Sequence, residues 1–356
     1  MRRGRTLCNP GCAPPETRPL GTRLAAWLGA LSICCSGCLT PAANEVVVYA
    51  ALDEEYSRPI LEQFTRETGV VVRAKFDVES TKTVGLVQAL FAESARPRCD
   101  VFWNNEIVNT LRLERAGLLE PIASPQGAKY PPSFRSPEGR WYGFAARARV
   151  LAVNARLVSA EQTPLRLEDL VDPQWKGRVG IAKPLAGTTA THSACLFAAW
   201  GRERAEAFFR RLRDNAQILG GNRQVAQAVA NGALACGLTD TDDALVEIER
   251  GMPVRLVLLD QEEGGLGTLL VPNTLGVIRG APHPAAARRL VEYLLRPETE
   301  ALLATGPAGQ IPLHPETAAS SRATAGSAVR AMDADFEAAA AAWEESAAIL
   351  RALFAS

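Results

Sequence analysis

The chain has 356 residues, of which 39 are basic and 39 acidic, so its formal net charge is zero, and 47% of its residues are hydrophobic. A length of this order exceeds what one hydrophobic core usually serves, which predicts two lobes, and the charge balance leaves no basic footprint for nucleic acid. The three histidines, His192, His283 and His314, contain no pair at ligand spacing, which argues against a zinc site built of imidazoles.

Residues 1–37 read as a signal peptide, because Arg2, Arg3, Arg5, Arg18 and Arg23 precede an apolar run at 24–33. That run is too short for a permanent membrane span. It ends in Cys35-Ser-Gly-Cys38, whose small residues before a cysteine resemble a lipobox. Cys38 is therefore the expected lipidated N-terminus and residues 38–44 a tether, with a cut elsewhere in the leader as the alternative. Without residues 1–37 the chain keeps 34 basic and 38 acidic residues, a net charge of −4, and beyond Cys38 three of its eight cysteines, Cys99, Cys195 and Cys236. An odd count argues against a disulfide framework. Each of the three lies in an apolar stretch, which predicts buried free thiols.

The remainder opens as a βαβ unit. A buried-type strand at 46–50 leads to a helix with Pro59 in its first turn and Ile60, Leu61 and Phe64 on one side; Gly69 stops it and a strand follows at 70–76. Next come a helix carrying Val84, Val87 and Phe91, a strand at 100–103, and a helix with Ile107 and Leu111 that ends at Gly117. Such alternation predicts a parallel or mixed sheet covered on both faces. Extended segments at 141–154 and 268–278 bracket a second alternating region, with strands at 178–182 and 233–238. The expected fold is thus α/β and two-lobed, each lobe a mixed sheet flanked by helices, joined by two extended crossovers. Lobe 1 takes 45–148 plus 273–320 and lobe 2 takes 149–272. Residues 321–356 form a C-terminal element packing on both lobes. Its Ala-rich part, 325–354, reads as one amphipathic helix with Val329, Met332, Phe336 and Trp343 on the packing side.

Chemistry concentrates after the strand at 233–238. There Gly237-Leu-Thr-Asp-Thr-Asp-Asp-Ala244 places Asp240, Asp242 and Asp243 within four residues. Acids this close stay ionised cheaply only beside water or a cation, and ligand sites in α/β sheets gather at the C-terminal ends of strands. The structural alternative is a helix whose first turn carries Asp242 and Asp243 and whose cap is Asp240 or Thr241. A second feature, Ala186-Gly-Thr-Thr-Ala-Thr191, stands where a helix N-terminus can cradle an oxyanion. There too a plain alternative exists, capping by Thr188 or Thr189 with nearby arginines paired to surface acids. An enzyme using Cys99 or Cys236 as nucleophile is disfavoured, because neither has a histidine close in sequence and no Gly-x-Ser-x-Gly elbow occurs.

From about Val46 to about Pro315 the chain resembles the bacterial periplasmic solute-binding proteins of ABC importers, in the branch of the ferric-ion-binding proteins. The segments that carry the resemblance are Val-Tyr-Ala-Ala (48–51), Phe-Thr-Arg-Glu-Thr-Gly-Val (64–70), Asp-Val-Phe-Trp (100–103), Ala-Gly-Leu-Leu-Glu-Pro (116–121), Arg-Ala-Arg-Val-Leu-Ala-Val-Asn (147–154), Leu-Glu-Asp-Leu-Val-Asp-Pro-Gln-Trp-Lys-Gly-Arg-Val-Gly (167–180) and Gln-Ala-Val-Ala-Asn-Gly (227–232). The resemblance implies a type II hinge protein, not an enzyme and without a resident cofactor. Such a protein is periplasmic and monomeric, closes over one solute and docks on an inner-membrane permease; a sensor kinase is the other partner of this kind.

Site roles follow from the same resemblance. Ferric binders of this branch hold iron with a tyrosine pair after the strand corresponding to 233–238, where this chain has Asp242 and Asp243. Their first loop corresponds to Asp53, Glu54 and Glu55, and their third to Asn104, Asn105 and Glu106. The implied cation ligands are Asp53, Glu106, Asp242 and Asp243, with Asp240 behind them or capping. A carboxylate cage suits hard cations generally and selects Fe(III) less sharply than phenolate does. The implied anion contacts are Arg147, Arg149, Gly187, Thr188, Thr189 and Asn222. Two solutes fit such polarity. One is Fe(III) or another hard cation with a synergistic anion. The other is a zwitterion such as an aminophosphonate, its phosphonate on Thr188, Thr189 and Arg149 and its amine on Asp242 and Asp53. Trp103 is placed either to give the amine a cation–π contact or simply to pack.

Overall fold

Largely apolar runs make the central strands, which are buried on both faces as the strands of a helix-covered sheet must be, and the charges they do carry, Arg147 and Arg149 in Tyr142–Asn154 and Asp240 in Cys236–Asp240, are buried with them. A computed structural model of the protein describes residues 44–77, 84–324 and 329–354. The leader expected at 1–37, Cys38 and the tether up to residue 43 lie outside the described residues. In chain order the strands are β1 (Glu45–Ala50), β2 (Val71–Phe76), β3 (Val101–Asn104), β4 (Leu119–Glu120), β5 (Tyr142–Asn154), β6 (Val179–Ala182), β7 (Gln217–Leu219), β8 (Cys236–Asp240), β9 (Val254–Val257) and β10 (Leu270–Ile278). The helices are α1 (Glu54–Thr68), α2 (Val84–Ala92), α3 (Val108–Arg115), α4 (Gly187–Trp200), α5 (Arg202–Asn215), α6 (Asn222–Ala230), α7 (Thr241–Glu249), α8 (Pro284–Leu294), α9 (Pro297–Thr305), α10 (Phe336–Ala341) and α11 (Trp343–Phe354).

The strands run in the order β2-β1-β3-β10-β5-β8-β6-β7, with β4 on β10 and β9 on β5. Pairs β1·β2, β1·β3, β6·β7 and β6·β8 are parallel, while β10 and β5 run antiparallel to their neighbours. All of β5 is buried. It pairs with β10 as far as Ala148, and from Arg149 onward with β8, so one strand is shared by both halves of the protein. Opposite a register shift between Pro272 and Asn273, Ala145 in β5 has φ +42°. Its N–H donates to Glu300 Oε1 at 2.7 Å, and the fully buried Glu300 carboxylate also accepts from the backbone N–H groups of Leu313 and His314.

Two expectations shift. The strand expected at 233–238 forms at Cys236–Asp240 instead, because the chain is still turning after Gly232 (φ +81°). This later start makes Asp240 the last residue of β8. The tail is not one helix from residue 325. Residues 325–328 lie outside the described residues, Ala331 bridges Thr268, and helix begins only where the Asp335 side chain accepts from Ala338 N at 2.8 Å. The short α10 packs on α3 and α4, and α11 on α4 and α5. Arg112–Glu344 (2.6 Å), Arg115–Glu337 (2.8 Å) and Arg202–Glu345 (2.7 Å) tie the tail to helices of both halves. Cys99, Cys195 and Cys236 are free, buried thiols. Among the described residues no helix is long and apolar enough to cross a membrane.

Candidate functional site

The antiparallel register of β5 on β8 sets Arg149 directly opposite Asp240, so the two side chains share a face of the sheet. Arg149 Nη1 donates to Asp240 Oδ1 at 2.6 Å, and both side chains are sealed from solvent, at 0% and 3% exposure. The starts of α4 and α6 converge on the same carboxylate. Thr188 Oγ1 donates to Asp240 Oδ2 at 2.5 Å and Asn222 Nδ2 donates to it at 3.0 Å. Asn222 Oδ1 accepts from Arg149 Nη1 at 3.1 Å and from Thr189 Oγ1 at 3.0 Å. Burial alone would raise the Asp240 pKa, but Arg149 and Arg147 hold it below its ordinary value. The capping roles considered for Asp240, Thr188 and Thr189 are therefore not what these side chains do. Asp240 stands at the N-cap position of α7 and Ala186 at that of α4, yet neither helix has a side-chain cap bond. Nor do the arginines pair with surface acids. Gly187 begins α4 with φ +57°, and nothing lies within 4 Å of where a Cβ would stand.

Beside this knot lies a cluster of acids. One oxygen each of Asp240, Asp242 and Asp243 falls within 4.8 Å of the others, and these three form the convergent acid group among the described residues. Asp242 and Asp243 do occupy the first turn of α7, but Asp242 is buried there, with Oδ2 3.4 Å from Arg147 Nη1. Asp243 Oδ1 is 3.7 Å from Arg223 Nε; Arg223 Nη2 reaches Asp53 Oδ2 at 3.2 Å and Glu55 Oε1 at 2.7 Å. Residues from the start of α6 and the start of α1 thus meet across the sheet's two halves. Burial would lower the Arg147 pKa, but Asp242, Asp240, Asp53 and Asp243 together raise it. Burial, then Asp242, Glu55 and Asp53, push the Tyr56 phenol up, so it stays protonated in the same field. Arg223 and Tyr56 are the members that sequence reasoning missed. Arg223 could have been flagged by its place next to Asn222 at a helix start, whereas Tyr56 reads as one more apolar residue of α1.

Three expected members lie outside the convergent acid group. Glu106 is fully buried, with Oε1 accepting from Asn104 Nδ2 (2.8 Å) and Asn109 N (3.1 Å) and Oε2 from Thr191 Oγ1 (2.6 Å), so it fastens the start of α3 to α4 and is not in the convergent acid group. Trp103 has no exposed surface and packs in the core with its ring 5.6 Å from Phe144. Asp53 is near Arg223, but it too stands outside the group of three. Burial and Arg149 pull His192 down to about 3, so its imidazole is neutral. Burial pushes Cys236 up to about 12 and Cys99 well above the ordinary thiol value, the opposite of what a nucleophile needs.

A family model described as bacterial extracellular solute-binding protein matches residues 109–338. The chain belongs to that family. This solute-binding protein is 27% identical over 270 residues to iron uptake protein A1 of Synechocystis sp., covering 73% of this chain and 74% of that one. It is 26% identical over 264 residues to the Fe(3+)-binding periplasmic protein of Serratia marcescens, covering 73% and 76%. Its fold is similar to that of apo ferric ion-binding protein A from Pasteurella haemolytica, with a TM-score of 0.78 at 22% identity over 87% of this chain and 98% of the other. Iron-bound HitA from Pseudomonas aeruginosa gives a TM-score of 0.76 at 24% identity over 87% and 99%. The two-lobed α/β architecture is thereby shown, and the protein is a binding protein, not an enzyme. In this setting the acids and arginines described above lie where the shared strand β5 passes from one lobe to the other.

Proposed function

We propose that this solute-binding protein captures a hard cation, ferric ion first, at Asp242 and Asp243 with Asp53 across from them, and hands it to an inner-membrane ABC permease. It does so in the periplasm, held at the membrane by a diacylated Cys38. The observation that carries the reading is the convergence of three carboxylates within 4.8 Å at the start of α7. Charge supports it: five carboxylates (Asp53, Glu55, Asp240, Asp242, Asp243) face three guanidiniums (Arg147, Arg149, Arg223), a surplus of two negative charges. The relatives named for iron point the same way. The zwitterionic alternative draws on a relative named as a putative 2-aminoethylphosphonate-binding periplasmic protein, 20% identical over 253 residues. It needs Arg149 and Thr188 for the phosphonate, and both are engaged with Asp240.

Ferric ion, supplied as a weak chelate, is titrated into the full chain while thermal unfolding is followed. An ion present at about 100 times its dissociation constant should stabilise by about 2.7 kcal/mol. Asp243→Asn and Asp53→Asn should each weaken binding by about tenfold or more. Neither should lower the stability of the metal-free protein by more than about 1 kcal/mol, because their partner Arg223 is 41% exposed. Asp242→Asn is a poor probe, since it strands the buried Arg147. An unfolding midpoint that ignores ferric ion sinks the reading. Cys38→Ser should move the protein from the membrane fraction to the soluble one, and unchanged fractionation sinks the anchor.

A further inference from the structure

The starts of α4 and α6 and the β5 arginine assemble what an oxyanion requires: a buried guanidinium, two hydroxyls, a carboxamide and two helix N-termini. Yet the chain brings its own oxyanion to this cradle. Asp240 arrives there because β8 ends at it and its register partner is Arg149. Both its oxygens are taken, Oδ1 by Arg149 Nη1 at 2.6 Å, and Oδ2 by Thr188 Oγ1 at 2.5 Å and Asn222 Nδ2 at 3.0 Å. Of the expected anion contacts, Arg149, Thr188 and Asn222 bond to it directly, while Thr189 holds Asn222 in place at 3.0 Å and Arg147 pairs with Asp242 instead. The same carboxylate is a member of the convergent acid trio, so it borders the cation position as well as filling the cradle.

We infer that Asp240 is a built-in counter-anion: it occupies the oxyanion cradle permanently and completes the cation site from within the chain, so that the solute is taken up without a companion phosphate, carbonate or citrate. This rests on the cation reading for its solute but not for its chemistry, because what fills the cradle can be tested with no metal present. The consequence is a difference in specificity. A site that borrows its anion binds its cation in proportion to the anion supply, whereas a site with a resident carboxylate is indifferent to it. A buried arginine left without a carboxylate would be strongly destabilising, and Asp240 supplies one to Arg149 whether or not a solute is bound. Part of the guanidinium remains uncommitted: Arg149 Nε and Nη2 are buried without a hydrogen-bond partner among the described residues.

The test uses inorganic phosphate on the metal-free full chain, wild type and Asp240→Ala, read by calorimetric titration and thermal unfolding. Wild type should neither bind phosphate nor be stabilised by it. Asp240→Ala removes the carboxylate and leaves its place in the cradle open to an anion; it should be less stable than wild type, and phosphate should restore part of the loss and bind at least about tenfold more tightly than to wild type. Phosphate binding to wild type, or a folded Asp240→Ala variant that ignores phosphate, overturns the inference. Should that variant not fold even with phosphate, the wild-type ferric titration decides: affinity unchanged between phosphate-free and phosphate-rich buffer supports the resident anion, and affinity rising with phosphate overturns it. Absence of ferric binding with the expected phosphate pattern intact removes the iron reading and leaves the counter-anion standing.

Discussion

Asp260 and Asp240 are both buried aspartates, and their surroundings drive them in opposite directions. Asp260 lies in the loop between β9 and β10 with φ +57°, its carboxylate accepting only a long bond from Leu167 N at 3.3 Å. Burial outweighs that bond and lifts its pKa from 3.8 to about 6. A raised carboxyl holds its proton more tightly in the folded state, so its contribution to stability is complete below the ordinary value and is lost as pH rises through about 6. Asn tolerates the same backbone and still offers Leu167 an acceptor. Asp260→Asn should therefore be more stable than wild type at pH 7 to 8, with the gap closing as pH falls to about 4. Denaturant midpoints across that range check it, and a gap independent of pH refutes it. Asp240 runs the other way, since its lowered pKa gives stability that is present at neutral pH and lost only in acid. The polar membership of the site, Arg149, Thr188, Asn222 and Asp240, was legible from residue type and position at element ends. That the aspartate would satisfy the arginine was not, because it depends on a strand register.

At the scale of the element, β5 is the decisive piece. It is buried over all its 13 residues, changes partners at Arg149, and contains Ala145 at positive φ opposite the shift in β10. An L-residue in such a conformation costs about 1–2 kcal/mol. Glycine removes that strain and forfeits one buried methyl, worth about 0.8 kcal/mol, so Ala145→Gly should be neutral or up to about 1 kcal/mol more stable. Ala145→Val adds two methyls where the residue is 1% exposed and should lose about 1–3 kcal/mol to overpacking as well as strain. Urea unfolding of the two variants distinguishes this from an unstrained strand, in which glycine would be the worse substitution. The extended character of 141–154 was readable from its apolar run, but the kink was not, because alanine carries no signal for positive φ. The tail shows the reverse case. Its many alanines favour helix from residue 325 onward, yet 329–335 are not helical, Ala331 bridging Thr268 and helix starting only at the Asp335 cap.

For the whole molecule, the two lobes were legible because strand and helix alternate twice and two extended segments separate the repeats. How firmly the lobes hold each other is a matter of side chains that reach across. Arg223 does so from α6, meeting Asp53 and Glu55 at the start of α1 as well as Asp243 beside it. Its side chain is 41% exposed, so each pair contributes about 0–1 kcal/mol, and salt screens it. Two such contacts between the lobes together contribute at most about 2 kcal/mol, a bias of up to about thirtyfold on the hinge, little enough for solute release to remain possible. A solute adds only its own differential affinity for the closed form. Arg223→Ala should therefore enlarge the solute-free protein's radius of gyration in solution scattering, and high salt should do the same to wild type. Saturating solute should return both to the compact value, because the carboxylates that hold it are intact. Scattering curves for wild type and Arg223→Ala that superimpose at low and high salt would mean that the lobes are held by β5, β10 and the C-terminal helices alone, with no electrostatic latch across the site.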